Sequence, residues 1–558
     1  LDDAIITIKL TPNRADCLSI LGVAREVAAL TGAPLAPSVV ETIAARSDAR
    51  HPVRITNPEG CGRFAGRMIR NVNAAAPTPD WMKRRLERAG QRPISALVDV
   101  TNYVMLELGR PLHVYDADKL RGAIDVRWAR SGEKVELLNG QTLDLAPDVL
   151  LITDDSGPIG LAGIMGGEST KAETTTRNVF LESAFFFPEA IAGRSRRFGF
   201  ASDASHRFER GVDFANNADG IERATELILA ICGGEPGPTV DQVAKLPERA
   251  PVRMRTERAR KVIGVPIADA EMEAILARLG LAPRRDGDAL VVTPPSFRFD
   301  IAIEEDVIEE IARVYGFDNI PAVPPQATAA MHGAPESARP VHDLRERMAA
   351  AGYREVINFS FVEEGWERDL AGATDPIRLL NPIASPMSVM RSSLVGGLVA
   401  NVQYNLNRGA SRVRVFEIGR VYRRDPTVAD GPLTVAGVDQ PLRIAGAAYG
   451  PAEAEQWGVP SRPVDFFDVK GDVETLITPL RAVYERATHP AFHPGRCARV
   501  SIDGCAVGWI GELHPKWAQR FDLARAPVLF ELALAPLVGV PLPVYSEVSR
   551  FPAVERDL

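Results

Sequence analysis

The sequence predicts an α+β protein of several domains. Three observations carry that prediction. The chain has 558 residues, 46% apolar and 25% charged, which is enough for about three to five domains with ordinary cores. Strand-like and helix-period runs follow one another through two long regions, 50–245 and 335–541. Stretches rich in Pro and Ala, at 33–52 and 322–337, read as linkers. The predicted order is a helical segment over 1–45, an α/β module over 50–245, a small winged-helix-like unit over 250–326, an antiparallel-sheet domain over 335–541 and a linker over 542–558.

The helical segment comes from "TPNRADCLSILGVAREVAALTG", where turn residues give way to an apolar face of Leu18, Leu21, Val23, Val27 and Leu30 and Gly32 ends the run. In the α/β module "RFAGRMI", "AIDVRWA", "VLLITD" and "NVFLESAFF" read as strands. "PDWMKRRLERAG" and "ISALVDVTNYVMLELG" read as helices. In the small unit "TERARKVIG" and "DAEMEAILARLG" are helical and "ALVVTPP" is a strand, a winged-helix or helix-turn-helix layout. Further on, "SRVRVFEIGRVYRR", "LRIAGAAYG" and "RVSIDGCAVGWIGEL" suit a largely antiparallel sheet.

Several function classes are set aside. A net charge of −8 argues against a simple non-specific nucleic-acid binder. Five scattered cysteines, without CxxC spacing, argue for a reducing cytoplasm and against a disulfide frame or zinc site. No apolar run reaches the roughly 18 residues of a membrane span, and "LDDAIITIKL" has acids where a signal peptide has bases. The chain opens without Met and reads as a piece of a longer one. There is no GxxxxGK[ST] loop and no GxSxG elbow. "GPIGLAGIMGG" lacks the lysine and following helix of a phosphate loop; its glycines suit turns and close backbone approach.

Two groups of residues invite chemistry. Thr101, Asn102, His113, Glu182, Ser202, Asp203, His206, Arg207 and Arg210 are polar residues that one pocket would gather. Glu182 is the most suggestive, since a carboxylate between Leu181 and Phe185–Phe187 is costly to bury unless paired or met by a ligand. The arginines around 194–210 suit phosphates or a solvated helix equally. The second group is acidic. "SFRFDIAIEEDVIEEIARVYGF" puts Asp300, Glu304, Glu305, Asp306, Glu309 and Glu310 beside an apolar stripe of Ile303, Val307, Ile311 and Val314. Asp300 stands where a helix N-cap belongs. Asp306, Glu309 and Glu310, at i, i+3 and i+4, are neighbours that repel unless something positive joins them. Arg313, a hard cation such as magnesium, or plain solvation each answers that.

Longer strings carry a resemblance. "LTPNRADCLSILGVAREVAALTG", "DVTNYVMLELGRPLHVYDADKL", "GIMGGEST", "DASHRFERGVD", "PSFRFDIAIEEDVIEEIARVYGFDNIP" and "FHPGR" resemble the bacterial phenylalanyl-tRNA synthetase β chain, from residue 1 to the end. The resemblance implies a cytoplasmic α2β2 enzyme that charges tRNA(Phe) with phenylalanine using ATP, the synthetic site lying in the α subunit. It implies a B3/B4-type editing domain over 50–245 that removes mischarged tyrosine, a B5-type unit over 250–326 and a class II synthetase-like domain over 335–541. The editing pocket it implies is Thr101, Asn102, His113, Gly166, Glu182, Ser202 and Ala204, with Glu182 accepting a hydrogen bond from the tyrosine hydroxyl and Gly166 and Ala204 leaving room for the ring. The magnesium ligands it implies are Asp300, Asp306, Glu309 and Glu310. "VFEIGRVYRRD" lacks the Arg-x-Glu of an ATP-binding motif, which leaves 335–541 as a non-catalytic partner of the α subunit. An N-terminal OB-fold and a C-terminal anticodon-binding domain, which the family carries, are expected to be missing. The alternative is a structural, tRNA-binding subunit without editing.

Overall fold

The alternating runs around 61–70 and 179–186 pair antiparallel, and the first half of the chain is organised around them. The structure is a computed structural model that describes residues 4–36, 40–331, 333, 335–542, 545, 547 and 551. These fall into two compact units, 1–326 and 327–558.

In the first unit α1 (Ile20–Thr31) starts at Ser19, whose hydroxyl accepts a hydrogen bond from the Gly22 amide, and stops at Gly32 with φ +71°. The helical period puts Val27 and Leu30 on a buried face, but both are exposed. The helix packs through Gly22 and Ala29 instead. A Cβ on Gly22 would collide with the Asp16 carbonyl, so only the small side of the helix can approach so closely.

Two sheets follow. The elements that build them are β1 (Val53–Ile55), β2 (Cys61–Arg70), α2 (Asp80–Arg88), α3 (Ala96–Leu108), β3 (His113–Asp116), β4 (Ile124–Trp128), β5 (Leu150–Asp154), β6 (Gly157–Leu161), β7 (Met165–Gly166) and β8 (Val179–Phe186). One sheet runs β1-β4-β5-β6-β7, and the other holds β8 between β2 and β3. The helices α4 (Asp203–Phe208) and α5 (Asn217–Cys232) come next. Every residue of β8 is buried, and its side chains alternate between two cores. Phe180, Ala184 and Phe186 pack with residues of the other sheet, whereas Val179 and Leu181 pack with α3 and α5. Each large side chain buried this way contributes about 1.5–3 kcal/mol. A one-residue slip would send each set into the wrong core, so the register is tightly specified.

The small unit contains β9 (Val252–Arg255), α6 (Thr256–Ile263), α7 (Asp269–Arg278), β10 (Arg284–Asp286), β11 (Ala289–Val292) and α8 (Glu304–Tyr315). Its sheet is antiparallel in the order β9-β11-β10, three strands where the winged-helix layout predicted a short pair. Asp300 is not the N-cap of α8. The cap position is Ile303, and Asp306 closes the first turn by accepting the amides of Ala302 (2.8 Å) and Ile303 (2.9 Å).

In the second unit α9 (Val341–Ala350), β12 (Arg354–Glu355), α10 (Val395–Leu406), β13 (Val413–Arg420), β14 (Leu442–Tyr449), α11 (Phe466–Ile477), β15 (Ala482–Arg486), β16 (Phe492–Ile502), β17 (Cys505–Leu513) and β18 (Val528–Ala533) build one seven-stranded sheet flanked by helices. The strand order is β12-β13-β14-β18-β17-β16-β15, antiparallel except for β12 with β13. Of the predicted linker 542–558, all but 542, 545, 547 and 551 lies outside the described residues. No helix among the described residues is long and apolar enough to cross a membrane.

Candidate active site

The pairing of β8 with β3 sets Glu182 directly opposite His113 and Phe180 opposite Tyr115. Opposed residues of an antiparallel pair share a face, so all four side chains point to the core between the two sheets. There Glu182, His113 and Tyr115 line a cavity of about 90 Å³. Its other walls come from β7, through Gly166, and from α4, through Ala204. Four of the seven predicted pocket residues therefore meet: His113, Gly166, Glu182 and Ala204.

The remaining three do not line it. Ser202 stands at the start of α4, where its hydroxyl accepts the Ser205 amide (3.0 Å) and donates to the Ile164 carbonyl (2.7 Å). Ile164 is a wall residue, so Ser202 fixes the position of α4 against the cavity. Thr101 lies on α3 and turns its hydroxyl back to the Val98 carbonyl at 2.7 Å. Asn102, also on α3, is half-buried. The space that Gly166 provides is taken by His113: a Cβ there would collide with Cε1 and sit 2.7 Å from Nε2.

The electrostatics of the cavity are unusual. Glu182 is 6% exposed, and burial pushes its carboxyl up to about 7, opposed by a hydrogen bond from Tyr115. That bond, Tyr115 Oη to Glu182 Oε2, is 2.5 Å long. Burial also pushes His113 down to about 4, so its imidazole is neutral near pH 7. Its Nε2 is buried and has no hydrogen-bond partner among the described residues. Buried polar atoms are almost always satisfied, so an orphan beside a cavity marks a place for a ligand or water. Tyr115 was not among the expected residues, although its position two after His113 on one strand put it on the same face.

The acidic helix looks different from the expectation. Arg298, 1% exposed, grips Asp300 with two bonds (2.9 and 2.8 Å) and donates to Glu310 at 2.9 Å. Arg313 donates to Glu310 at 2.8 Å, and Arg255 and Arg258 hold Glu304 and Glu305. Burial opposes the charge on Glu310, but Arg313 and Arg298 keep it down at about 2. The scarcity of base that suggested a metal is filled by Arg313 on α8 itself and by Arg255, Arg258 and Arg298 from outside it. Asp306 is committed to capping and Glu309 is exposed, and among the described residues no three His, Cys, Asp or Glu side chains converge on a common point. In this arrangement Asp300, Asp306, Glu309 and Glu310 do not fit a shared divalent cation.

In the second unit the polar groups are likewise turned on one another. Arg391 pairs with Glu417 at 2.7 Å, and Glu531 accepts from Ser393 and the Leu394 amide. The cavity beside Glu367 and Ser393 measures about 10 Å³, too small for a nucleotide.

Comparison with known proteins places these features in a context. Residues 60–233 match the B3/4 domain, 252–317 the tRNA synthetase B5 domain, and 320–534 the phenylalanyl-tRNA synthetase β chain CLM domain. The chain is 58% identical over 558 residues to the phenylalanine–tRNA ligase β subunit of Ralstonia nicotianae, covering 100% of this chain and 69% of that protein. It is 60% identical over 562 residues to that of Bordetella bronchiseptica, covering 100% and 70%. A solved N-terminal fragment of the phenylalanyl-tRNA synthetase β subunit of Pyrococcus horikoshii aligns with 16% identity over 55% of this chain and 85% of that one, at a TM-score of 0.28, too poor a superposition to bear on the fold.

Proposed function

Because the chain belongs to the phenylalanine–tRNA ligase β-subunit family, we propose that the cavity between its first two sheets is a hydrolytic editing site that clears tyrosine from mischarged tRNA(Phe). The chain works as the β subunit of an α2β2 enzyme, beside an α subunit that binds ATP and attaches phenylalanine. The observation that carries this reading is Glu182, a buried hydrogen-bond acceptor in the wall of an otherwise largely apolar cavity.

Tyrosine differs from phenylalanine by one hydroxyl, and an apolar synthetic pocket rejects an added hydroxyl only weakly. A second site must read that hydroxyl positively. Glu182 does so by accepting its hydrogen bond, a bond that phenylalanine would leave unmade. At neutral pH the unprotonated His113 presents Nε2 to the ester, the terminal ribose or a water. No serine or cysteine nucleophile lines the cavity, so an oriented water attacks the ester carbonyl, the ester C–O bond breaks, and the ribose hydroxyl leaves with a proton. The acidic helix serves as a charge-balanced structural element, and no step passes through it.

The test is deacylation of tyrosyl-tRNA(Phe) by this chain purified with its α subunit, beside Glu182→Ala. Clearance should fall roughly tenfold to hundredfold in the variant, the worth of a hydrogen bond to a charged group, with phenylalanine charging intact. A variant that clears tyrosine at the normal rate would refute the role of Glu182.

A further inference from the structure

The carboxylate that reads the hydroxyl already has a phenol on it. Tyr115 donates to Glu182 Oε2, and no other hydrogen bond to the Glu182 carboxylate is made by the described residues. Tyr115 is 1% exposed and is held on both sides. The His113 ring meets it edge-on with centroids 4.4 Å apart, and Phe180 lies against it at 6.4 Å. The phenol therefore cannot swing away without moving the buried Phe180 ring or the half-buried His113 ring. Among the described residues Glu182 Oε1 accepts no hydrogen bond, on a side chain that lines the cavity.

We propose that Tyr115 is a positioning residue for the hydroxyl-reading carboxylate: its fixed phenol ties down Oε2 and leaves Oε1 as the acceptor offered to a ring hydroxyl entering the cavity. This rests on the editing reading above and deepens it. An unsupported glutamate has several rotamers open to it, and only some present an oxygen to the cavity. It would also be a poorer acceptor, since a buried carboxyl tends to hold its proton. The neighbours on the other strands do not help. His113 on β3 is neutral, Cys61 on β2 is a thiol pushed up by burial, and Asp154 on β5 brings a like charge toward Tyr115. Among the described residues the phenol is the group that favours the ionised acceptor.

The experiment compares wild type, Tyr115→Phe and Glu182→Ala, each with the α subunit, in deacylation of tyrosyl-tRNA(Phe) from pH 6 to 9. Tyr115→Phe keeps the ring and removes the donor. Its clearance should drop roughly tenfold to hundredfold at pH 7 and recover toward pH 9, where Glu182 ionises unaided. Glu182→Ala should stay low throughout. A loss in Tyr115→Phe that is equal at every pH would make Tyr115 merely structural and overturn the proposal. A normal or faster rate would overturn it too, the faster rate meaning that Tyr115 competes with substrate. If Glu182→Ala clears tyrosine normally, the role of Glu182 fails and this proposal with it; if wild type does not clear tyrosine, the editing reading itself fails. Should Tyr115→Phe not fold, 3-fluorotyrosine at 115, a stronger donor of nearly the same shape, must move the pH midpoint down. No movement, or movement up, refutes the role.

Discussion

Replacing Arg298 by Met is the sharpest probe of the charge balance around α8. The guanidinium is 1% exposed and bonds both Asp300 and Glu310, whose side chains are 9% and 2% exposed. Removing one partner of a buried ion pair leaves the other charged and dry, which costs about 3–5 kcal/mol. A separate route gives a similar size. Glu310 is held at about 2 against an ordinary 4.5, and 1.36 kcal/mol per pH unit makes that about 3 kcal/mol, shared with Arg313. The sign follows from the depressed value: this stability is present above pH 4.5 and fades as pH falls toward 2. Two compact units will not unfold as one, so the assay is hydrogen–deuterium exchange read on peptides from α8. Arg298→Met should speed their exchange by about two orders of magnitude at pH 7, and adding Glu310→Gln should recover part of it. A change below about fivefold, or one that Glu310→Gln does not touch, would refute the view that Arg298 neutralises this helix.

Three further outcomes are expected. Millimolar magnesium should not slow α8 exchange in the wild-type chain, because its carboxylates are already committed to arginines and amides; slower exchange would show a cation entering there. Gly166→Ala should force the His113 ring to move, costing about 1–3 kcal/mol in thermal unfolding and cutting tyrosine clearance more than phenylalanine charging. Glu182→Gln should leave stability unchanged near pH 4 and raise it by about 3 kcal/mol above pH 7. Folding lifts the Glu182 carboxyl from 4.5 to about 7, so wild-type stability is full below 4.5 and declines as pH rises through 7. Melting curves of the two proteins that run parallel from pH 4 to 8 would contradict this.

Local pattern made much of the fold legible. β8 and α3 stand close to where alternation and helical period put them, because their side chains pack against dense neighbours on both sides. Glu182 stood out for the same reason, as a charge in an apolar strand. What pattern could not supply was partnership across the chain. Val27 and Leu30 look like a buried face by period, but the close approach at Gly22 decides which side of α1 packs. The acidic run seemed to lack base because Arg255, Arg258 and Arg14 arrive from distant positions, while Arg298 reads as a loop residue until its side chain is seen between Asp300 and Glu310. Tyr115 was within reach of strand alternation, but its tie to Glu182 depends on which strands are neighbours. Thr101 and Asn102, polar residues that the sequence grouped with His113, sit on α3 and outside the cavity wall.

Glu26 on α1 is bonded by Arg313, which lies 287 residues further along the chain. Arg14, itself 7% exposed, reaches toward Glu310 in the same cluster. A ribosome adding about 5–20 residues per second needs roughly 15 to 60 seconds to travel that far. For that interval the charges of α1 emerge without their final counter-ions, and the small side around Ala29 waits for the apolar residues of α7 and α8. A helix made 287 residues before its partner is thus among the last parts of this unit to be finished.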